Sequence, residues 1–306
     1  MNLFIYTDLR ENLRQQIRDA FPNHAVHFHS EKDGQKLFAS ADIVLGNVPK
    51  SWFAKDHHLI KFWQLDSAGF DQYQDVAVTA VVANMGDFFA VKCAETMLAG
   101  IMAHYRQINE LVKLQSQKKW VGKPLRYQLD LLTNKRVIIL GAGTIGKSMA
   151  KLLTGFDCNL KFMARSNPEA EIHDVSSLIK ILPEIDLVIN TLPGKAGMIV
   201  NKEVLEAMST NCLYASVGRG STTDESTLIK LLQEGRIAGA ILDVTMQEPL
   251  PADSPLWSMK NVILTQHTGG GHKLEDEGKV ALFIDNATKF LQGLPVLHQV
   301  NLREGY

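Results

Sequence analysis

The sequence predicts an α/β protein with two doubly wound parallel sheets. Three observations point there. Short apolar runs alternate with amphipathic helical stretches along most of the chain. The alternation comes as two series, separated by one long helical stretch and a polar segment. The second series opens on a glycine-rich turn of the kind that joins a strand to a helix. With 306 residues, the chain is long enough for two domains, each with its own core.

In the first series, residues 2–7 (NLFIYT) read as a buried strand and 9–20 as an amphipathic helix. "VHFHS" (26–30) alternates, and 42–47 (DIVLGN), 59–67 (LIKFWQLDS) and 78–84 (VTAVVAN) read as further strands. A helical stretch without proline runs from Phe88 to about Leu114. Val91, Met97, Leu98, Ile101, Met102, Ile108 and Leu111 recur along it at helical spacing. Ala90, Ala94, Ala99 and Gly100 add small residues on other sides. A helix apolar on several sides is either buried in one core or shared with a partner. "QSQKKWVGKPLRYQ" (115–128) reads as an irregular surface loop.

The second series has strands at 135–140 (KRVIIL), 158–163 (CNLKFM), 186–191 (DLVINT), 212–217 (CLYASV), 239–244 (GAILDV) and 261–265 (NVILT). Helices fit between them, including 201–208 and 224–234, the latter opened by Asp224 and Glu225, whose charge suits a helix N-terminus. The last helical stretch, 274–291, is expected to pack back on the first domain. The expected domains are therefore 1–97 plus 274–306, and 98–273.

Composition narrows the function classes. Hydrophobic content of 45% against 21% charged is that of a globular protein, and a net charge of −1 gives no field to draw the chain to nucleic acid or an anionic membrane. Cys93, Cys158 and Cys212 lie far apart, so neither a disulfide framework nor a cysteine zinc site is expected, which fits a cytoplasmic protein. The N-terminus lacks the basic start and long apolar run of a signal peptide. No run approaches about eighteen apolar residues, so no membrane span is expected. His24, His27 and His29 cluster in "HAVHFH" but read as a solvated strand face, and no metal is expected.

"GAGTIGKS" (141–148) satisfies two motifs. As G-x-G-x-x-G it is a dinucleotide-binding fingerprint, and as G-x-x-x-x-G-K-[ST] it is a nucleoside-triphosphate loop. Ile145, Met149, Leu152, Leu153 and Phe156 form one apolar stripe, so the helix is expected to run before Lys147. That favours the dinucleotide turn and a Rossmann-like domain. Asp243 after a buried strand keeps the rival open, since a triphosphate site also wants a carboxylate for magnesium. The next strand ends "FMARSN". Ala164 stands where an acid would accept the ribose 2′-hydroxyl of NAD, and Arg165 and Ser166 follow. An arginine fork there suits a 2′-phosphate, so NADP is favoured, with NAD the alternative.

Three further stretches follow predicted strands, where ligands bind in open α/β sheets. "ASVGRGSTTDESTL" carries Arg219, "ILDVTMQEPLPADSPLW" carries Asp243 and Glu248, and "NVILTQHTGGG" carries His267. With "DSAGFD" (66–71), "VANMGDFFAVKCAETMLAGIMA" (82–103) and "GAGTIG", these resemble, in order and over nearly the whole chain, the D-isomer-specific 2-hydroxyacid dehydrogenases. The resemblance implies two Rossmann-like domains with the active site in the cleft between them, and a small 2-oxo acid as substrate, glyoxylate or hydroxypyruvate foremost. It implies that Arg219 and the amides of Ala68 and Gly69 hold the substrate carboxylate, that His267 is the general acid and base, and that Glu248 orients it. Met85 is a candidate wall of the substrate pocket. Cofactor contacts are expected from Gly141, Gly143, Thr144, Ile145, Gly146, Arg165, Ser166, Leu192, Pro193, Val217, Gly218, Asp243, Gly269 and Gly270. A homodimer built around the helix starting near Phe88 is implied as well.

The chain departs from the family pattern in two places. Gln266 precedes the histidine where proline is common, and "GKAGMIVN" after Leu192 and Pro193 is shorter than usual. The family's regulatory extensions are not expected. A non-catalytic, nucleotide-sensing regulator on the same fold, akin to the family's transcriptional corepressors, is the alternative reading.

Overall fold

Two units divide the chain, Met1–Phe89 with His272–Tyr306, and Ala90–Gly271. The structure is a computed structural model that describes residues 1–31, 33–53 and 59–304.

The first unit begins β1 (Asn2–Ile5), α1 (Glu11–Ala20), β2 (Ala25–Phe28), α2 (Gly34–Ala39), β3 (Ile43–Leu45), β4 (Phe62–Gln64) and β5 (Val81–Ala83). The near-continuous burial of β1, β3 and β4 is that of parallel strands covered on both faces. α1 turns Leu13 and Ile17 inward against them.

The second unit begins with α3 (Ala90–Tyr105), α4 (Ile108–Ser116) and α5 (Lys123–Arg126). The single helix expected from Phe88 to Leu114 is thus two. Gln107 takes the left-handed conformation (φ 53°) and donates to the His104 carbonyl, which ends α3 without glycine or proline. α3 buries Ala90, Cys93, Ala94, Met97, Gly100, Ile101 and Tyr105 inside its own unit, against β9, β10 and α6 described below. Val91, expected on the apolar face, is 52% exposed. The segment read as irregular contains α5, started by Gly122 and Pro124.

The sheet of this unit follows: β6 (Arg136–Leu140), α6 (Thr144–Leu153), β7 (Asn159–Met163), α7 (Val175–Ile181), β8 (Leu187–Asn190), α8 (Lys202–Glu206), β9 (Leu213–Ser216), α9 (Glu225–Gln233), β10 (Gly239–Leu242) and β11 (Val262–Leu264). Its order is β11-β10-β9-β8-β6-β7, all parallel. The strand order reverses between β6 and β8, and the crevice outside such a switch point is where open α/β sheets bind ligands.

The chain then returns to the first unit with α10 (Glu275–Leu291) and β12 (Gln299–Val300). Val280, Phe283 and Ala287 of α10 join the core of Leu3, Ile5 and Phe62, as expected of the last helix. The first sheet runs β12-β5-β4-β3-β1-β2. β12 adds an antiparallel edge to this otherwise parallel sheet, pairing with Val82 and Ala83.

Candidate active site

The glycine loop leaves β6 and enters α6, and its three glycines meet three different constraints. Gly141 has φ 101°, and a Cβ there would stand 2.7 Å from Thr191 Oγ1. Gly146 sits so tightly over the Gly141 carbonyl that no side chain fits. Gly143 caps α6 with nothing within 4 Å of a would-be Cβ, which leaves its backbone approachable. Tight turn, open approach and close helix–strand packing are what a pyrophosphate cradle needs, and the amides of the first turn of α6 have no intrahelical partner. The residues fit a dinucleotide. α6 starts at Thr144, and the Lys147 amide already donates to Gly143 O at 2.9 Å. The helix therefore precedes the Lys-Ser pair, as Ile145 on the stripe predicts. Lys147 points to solvent and pairs with Glu169 at 3.3 Å.

At the end of β7, Ala164 donates to Ile172 O, and its own carbonyl lies 2.8 Å from His173 Nδ1. Arg165 and Ser166 are exposed beyond it. His173 was not singled out from sequence. It lies nine residues downstream of Ala164, and no local spacing marks it.

At the end of β8, the Thr191 hydroxyl donates to Leu140 O at 2.9 Å, joining the two sides of the switch point. Leu192 N donates to Asn190 Oδ1 at 3.0 Å. Val217 and Gly218 leave β9 beside that loop, and a Cβ on Gly218 would run into the Leu192 backbone. Arg219 follows in extended conformation, half-buried, with Nη1 donating to Gly218 O at 3.0 Å. Gly220 packs against the Thr245 backbone too closely for any side chain, which holds the Arg219 loop to the loop after β10.

That loop carries Glu248. Its Oε1 accepts from Thr245 N at 3.0 Å and its Oε2 lies 2.6 Å from His267 Nδ1. The carboxylate assigns the proton to Nδ1 and leaves Nε2 as the nitrogen that can accept one. The imidazole is 52% exposed and the carboxylate 35%, so the pair is reachable from solvent.

Asp243 is nearly fully buried. Its Oδ1 accepts from Thr265 Oγ1 at 2.6 Å, Gly269 N at 3.0 Å and Thr268 N at 3.1 Å. Its carbonyl accepts from His267 N at 2.6 Å. These bonds hold the histidine loop together. Gly269 and Gly270 belong to this loop, and Gly269 O accepts from Thr96 of α3. Gln266 and His267 both have φ 55°. Proline is fixed near −65°, so the conformation of this loop explains why proline is absent from position 266.

In the first unit, the loop after β4 holds Ala68 and Gly69. Asn84 Nδ2 donates to Ala68 O and Ser67 Oγ to Gly69 O, both at 2.6 Å. With the carbonyls tied down, the two amides have no partner among the described residues. Met85 is fully buried, its amide bound to Ser67 O. It supports that loop from within the core, and its side chain offers no surface to a ligand.

The model for the NAD binding domain of D-isomer specific 2-hydroxyacid dehydrogenases matches residues 98–269. The chain belongs to that family. A glyoxylate/hydroxypyruvate reductase B of Escherichia coli is 29% identical over 95% of both chains. The D-isomer specific 2-hydroxyacid dehydrogenase of Xanthobacter autotrophicus Py2, solved with NADPH and MES, is 25% identical with a TM-score of 0.81, over 100% of this chain and 99% of that one. The NADPH-dependent glyoxylate/hydroxypyruvate reductase of Sinorhizobium meliloti, solved with NADP and sulfate, shares the fold at 22% identity, TM-score 0.80 and the same coverage. The matched region spans the glycine loop, Arg219, Glu248 and His267. Among the described residues, no group of three or more His, Cys, Asp or Glu is placed to hold a metal, and no helix is long and apolar enough to cross a membrane.

Proposed function

We propose that the protein reduces small 2-oxo acids, glyoxylate or hydroxypyruvate foremost, to D-2-hydroxy acids with NADPH. The observation that carries this reading is the His267–Glu248 pair at 2.6 Å, set at the carboxyl ends of the same sheet as the glycine cradle. The bound dinucleotide supplies the hydride. His267 gives the proton at Nε2 to the ketone oxygen, and takes it back in the oxidative direction. Glu248 holds the imidazole in the tautomer that makes this possible. Arg219 binds the substrate carboxylate and polarises the ketone through its planar fork, and the free amides of Ala68 and Gly69 bind a carboxylate oxygen.

Gly141, Gly143, Thr144, Ile145 and Gly146 form the pyrophosphate cradle, and Leu192, Pro193, Val217, Gly218, Gly269 and Gly270 line the cofactor's other contacts. Arg165 and Ser166 receive the 2′-phosphate, which makes NADP the preferred cofactor. The NADPH and NADP named for the two solved relatives support that preference. The reductase names among the relatives support the substrate class. We place the enzyme in the cytoplasm, where its three free thiols are stable. We also propose a homodimer. Because α3 is used inside its own unit, the exposed Ile108, Leu111 and Val112 of α4 and the nearby Trp120 are the surface offered to it.

Replacing Arg219 by Ala tests the reading. The KM for hydroxypyruvate should rise at least ~tenfold with the KM for NADPH little changed. An unchanged substrate KM would remove Arg219 from the site.

A further inference from the structure

Beneath the loops that carry Leu192 and Arg219 lies a set of fully buried polar side chains that the proposed mechanism does not use: Asn190, Tyr214 and Thr222, with Thr223 at its edge. Asn190 Oδ1 accepts from the Leu192 amide at 3.0 Å, which fixes the carboxamide orientation, because only oxygen can accept there. Its Nδ2 then donates to Thr222 Oγ1 at 2.8 Å and to Tyr214 OH at 2.9 Å. Each hydroxyl has one proton left to give. That of Thr222 goes to Arg219 O at 2.6 Å, while Tyr214 OH and Thr223 Oγ1 share a hydrogen bond at 2.6 Å in which either can donate. Burial pushes the Tyr214 phenol up, so it stays protonated and able to donate.

A fully satisfied buried network rigidifies what it touches. This one touches two backbones. One carboxamide at the end of β8 grips the start of the Leu192–Pro193 loop with its oxygen and the Arg219 carbonyl, through Thr222, with its nitrogen. The Thr222 amide also donates to Arg219 O, at 3.1 Å. The set spans 32 residues of sequence between Asn190 and Thr222.

We propose that Asn190, through Thr222, is a positioning device that fixes the backbone of Arg219 relative to the Leu192–Pro193 cofactor loop. Arg219 can then aim its guanidinium at a carboxylate without a search, and the aim is set by the same group that sets the cofactor loop. The inference rests on Arg219 as the carboxylate-binding residue.

The test is steady-state kinetics with hydroxypyruvate, alongside NADPH binding followed by nicotinamide fluorescence. Thr222→Val keeps the shape and removes the hydroxyl. It should lower kcat/KM for hydroxypyruvate by ~tenfold while NADPH affinity stays within ~twofold. Thr222→Ser restores the hydroxyl and should recover activity to within ~twofold of wild type. Asn190→Asp can donate to neither hydroxyl, and should weaken both hydroxypyruvate turnover and NADPH binding. Should Thr222→Val not fold, Thr222→Ala, which adds no methyl contact, carries the same expectation. A wild-type kcat/KM in the folded valine or alanine variant, or a serine variant as impaired as valine, overturns the proposal. Arg219→Ala in the same assay separates the two claims. If it leaves hydroxypyruvate turnover intact, the reading of Arg219 fails. If it abolishes turnover while Thr222→Val has no effect, only the positioning role fails.

Discussion

His267 Nδ1 lies 2.6 Å from Glu248 Oε2, and the second oxygen of that carboxylate is held by the Thr245 amide at 3.0 Å. The glutamate is thus fixed at one end by its own loop and presents the other to the imidazole. His267→Gln should lower kcat by ~10²- to 10⁴-fold, the usual worth of a general acid. Glu248→Gln, which keeps the shape without the charge, should lower it less. NADPH affinity should hold in both. Steady-state kinetics with a binding titration checks this, and a near-wild-type kcat in His267→Gln would mean the proton comes from another group.

Gln266 offers a separate check on the histidine loop. Two successive non-glycine residues at φ 55° are uncommon backbone, held here by the Asp243 bonds to His267, Thr268 and Gly269. Gln266→Gly should keep kcat within ~twofold, since glycine adopts this conformation freely. Gln266→Pro cannot adopt it and should lower kcat at least ~tenfold while the protein still binds NADPH. Equal kcat in the two variants would show that the loop conformation does not govern the histidine.

Cofactor choice rests on the turn after β7. Arg165→Ala should raise the KM for NADPH by ~10- to 100-fold and leave that for NADH nearly unchanged, the signature of a lost charge-assisted contact to the 2′-phosphate. Parallel kinetics with both cofactors measures it. Equal effects on the two would mean Arg165 does not read the phosphate.

Asp224 makes a stability prediction with a definite sign. Its carboxylate accepts from Thr227 Oγ1, Ser226 Oγ and Thr227 N at the start of α9. The Thr227 hydroxyl first, then that of Ser226, holds its pKa below the usual carboxylate value. A carboxyl depressed in the folded state contributes stability above its unfolded pKa of ~3.9 and loses it as pH falls through the folded value. Asp224→Ala should therefore destabilise the protein by ~1 kcal/mol at pH 7, and the difference should shrink at an acid pH below the unfolded pKa of ~3.9. Urea unfolding of both proteins at the two pH values decides it. A difference that persists undiminished in acid would contradict the capping account.

The placement of the glycine loop, Arg219, Glu248 and His267 after strand ends was legible, because spacing along the sequence maps there onto one edge of the sheet. The stripe through Ile145 even placed the helix start correctly. Asp224 as a helix opener was legible for the same local reason. The break at Gln107 was not, since no glycine or proline marks it and the apolar spacing continues from α3 into α4. The antiparallel pairing of β12 depends on a partner more than two hundred residues away. The bonds that Asp243 accepts from Thr265, Thr268 and Gly269 were not legible, since no spacing in the sequence marks them. Asn190 looks like any strand-end asparagine until the Leu192 and Arg219 loops are folded together around it.

The central claim is tested most directly by following oxidation of NADPH and NADH, at equal concentrations, by the wild-type protein with glyoxylate, hydroxypyruvate, pyruvate and phenylpyruvate. The account predicts turnover with glyoxylate or hydroxypyruvate, and faster turnover with NADPH than with NADH. Absence of turnover with all four acids would contradict the reductase reading and favour a nucleotide-sensing role, and faster turnover with NADH would contradict the assignment of the turn at Arg165.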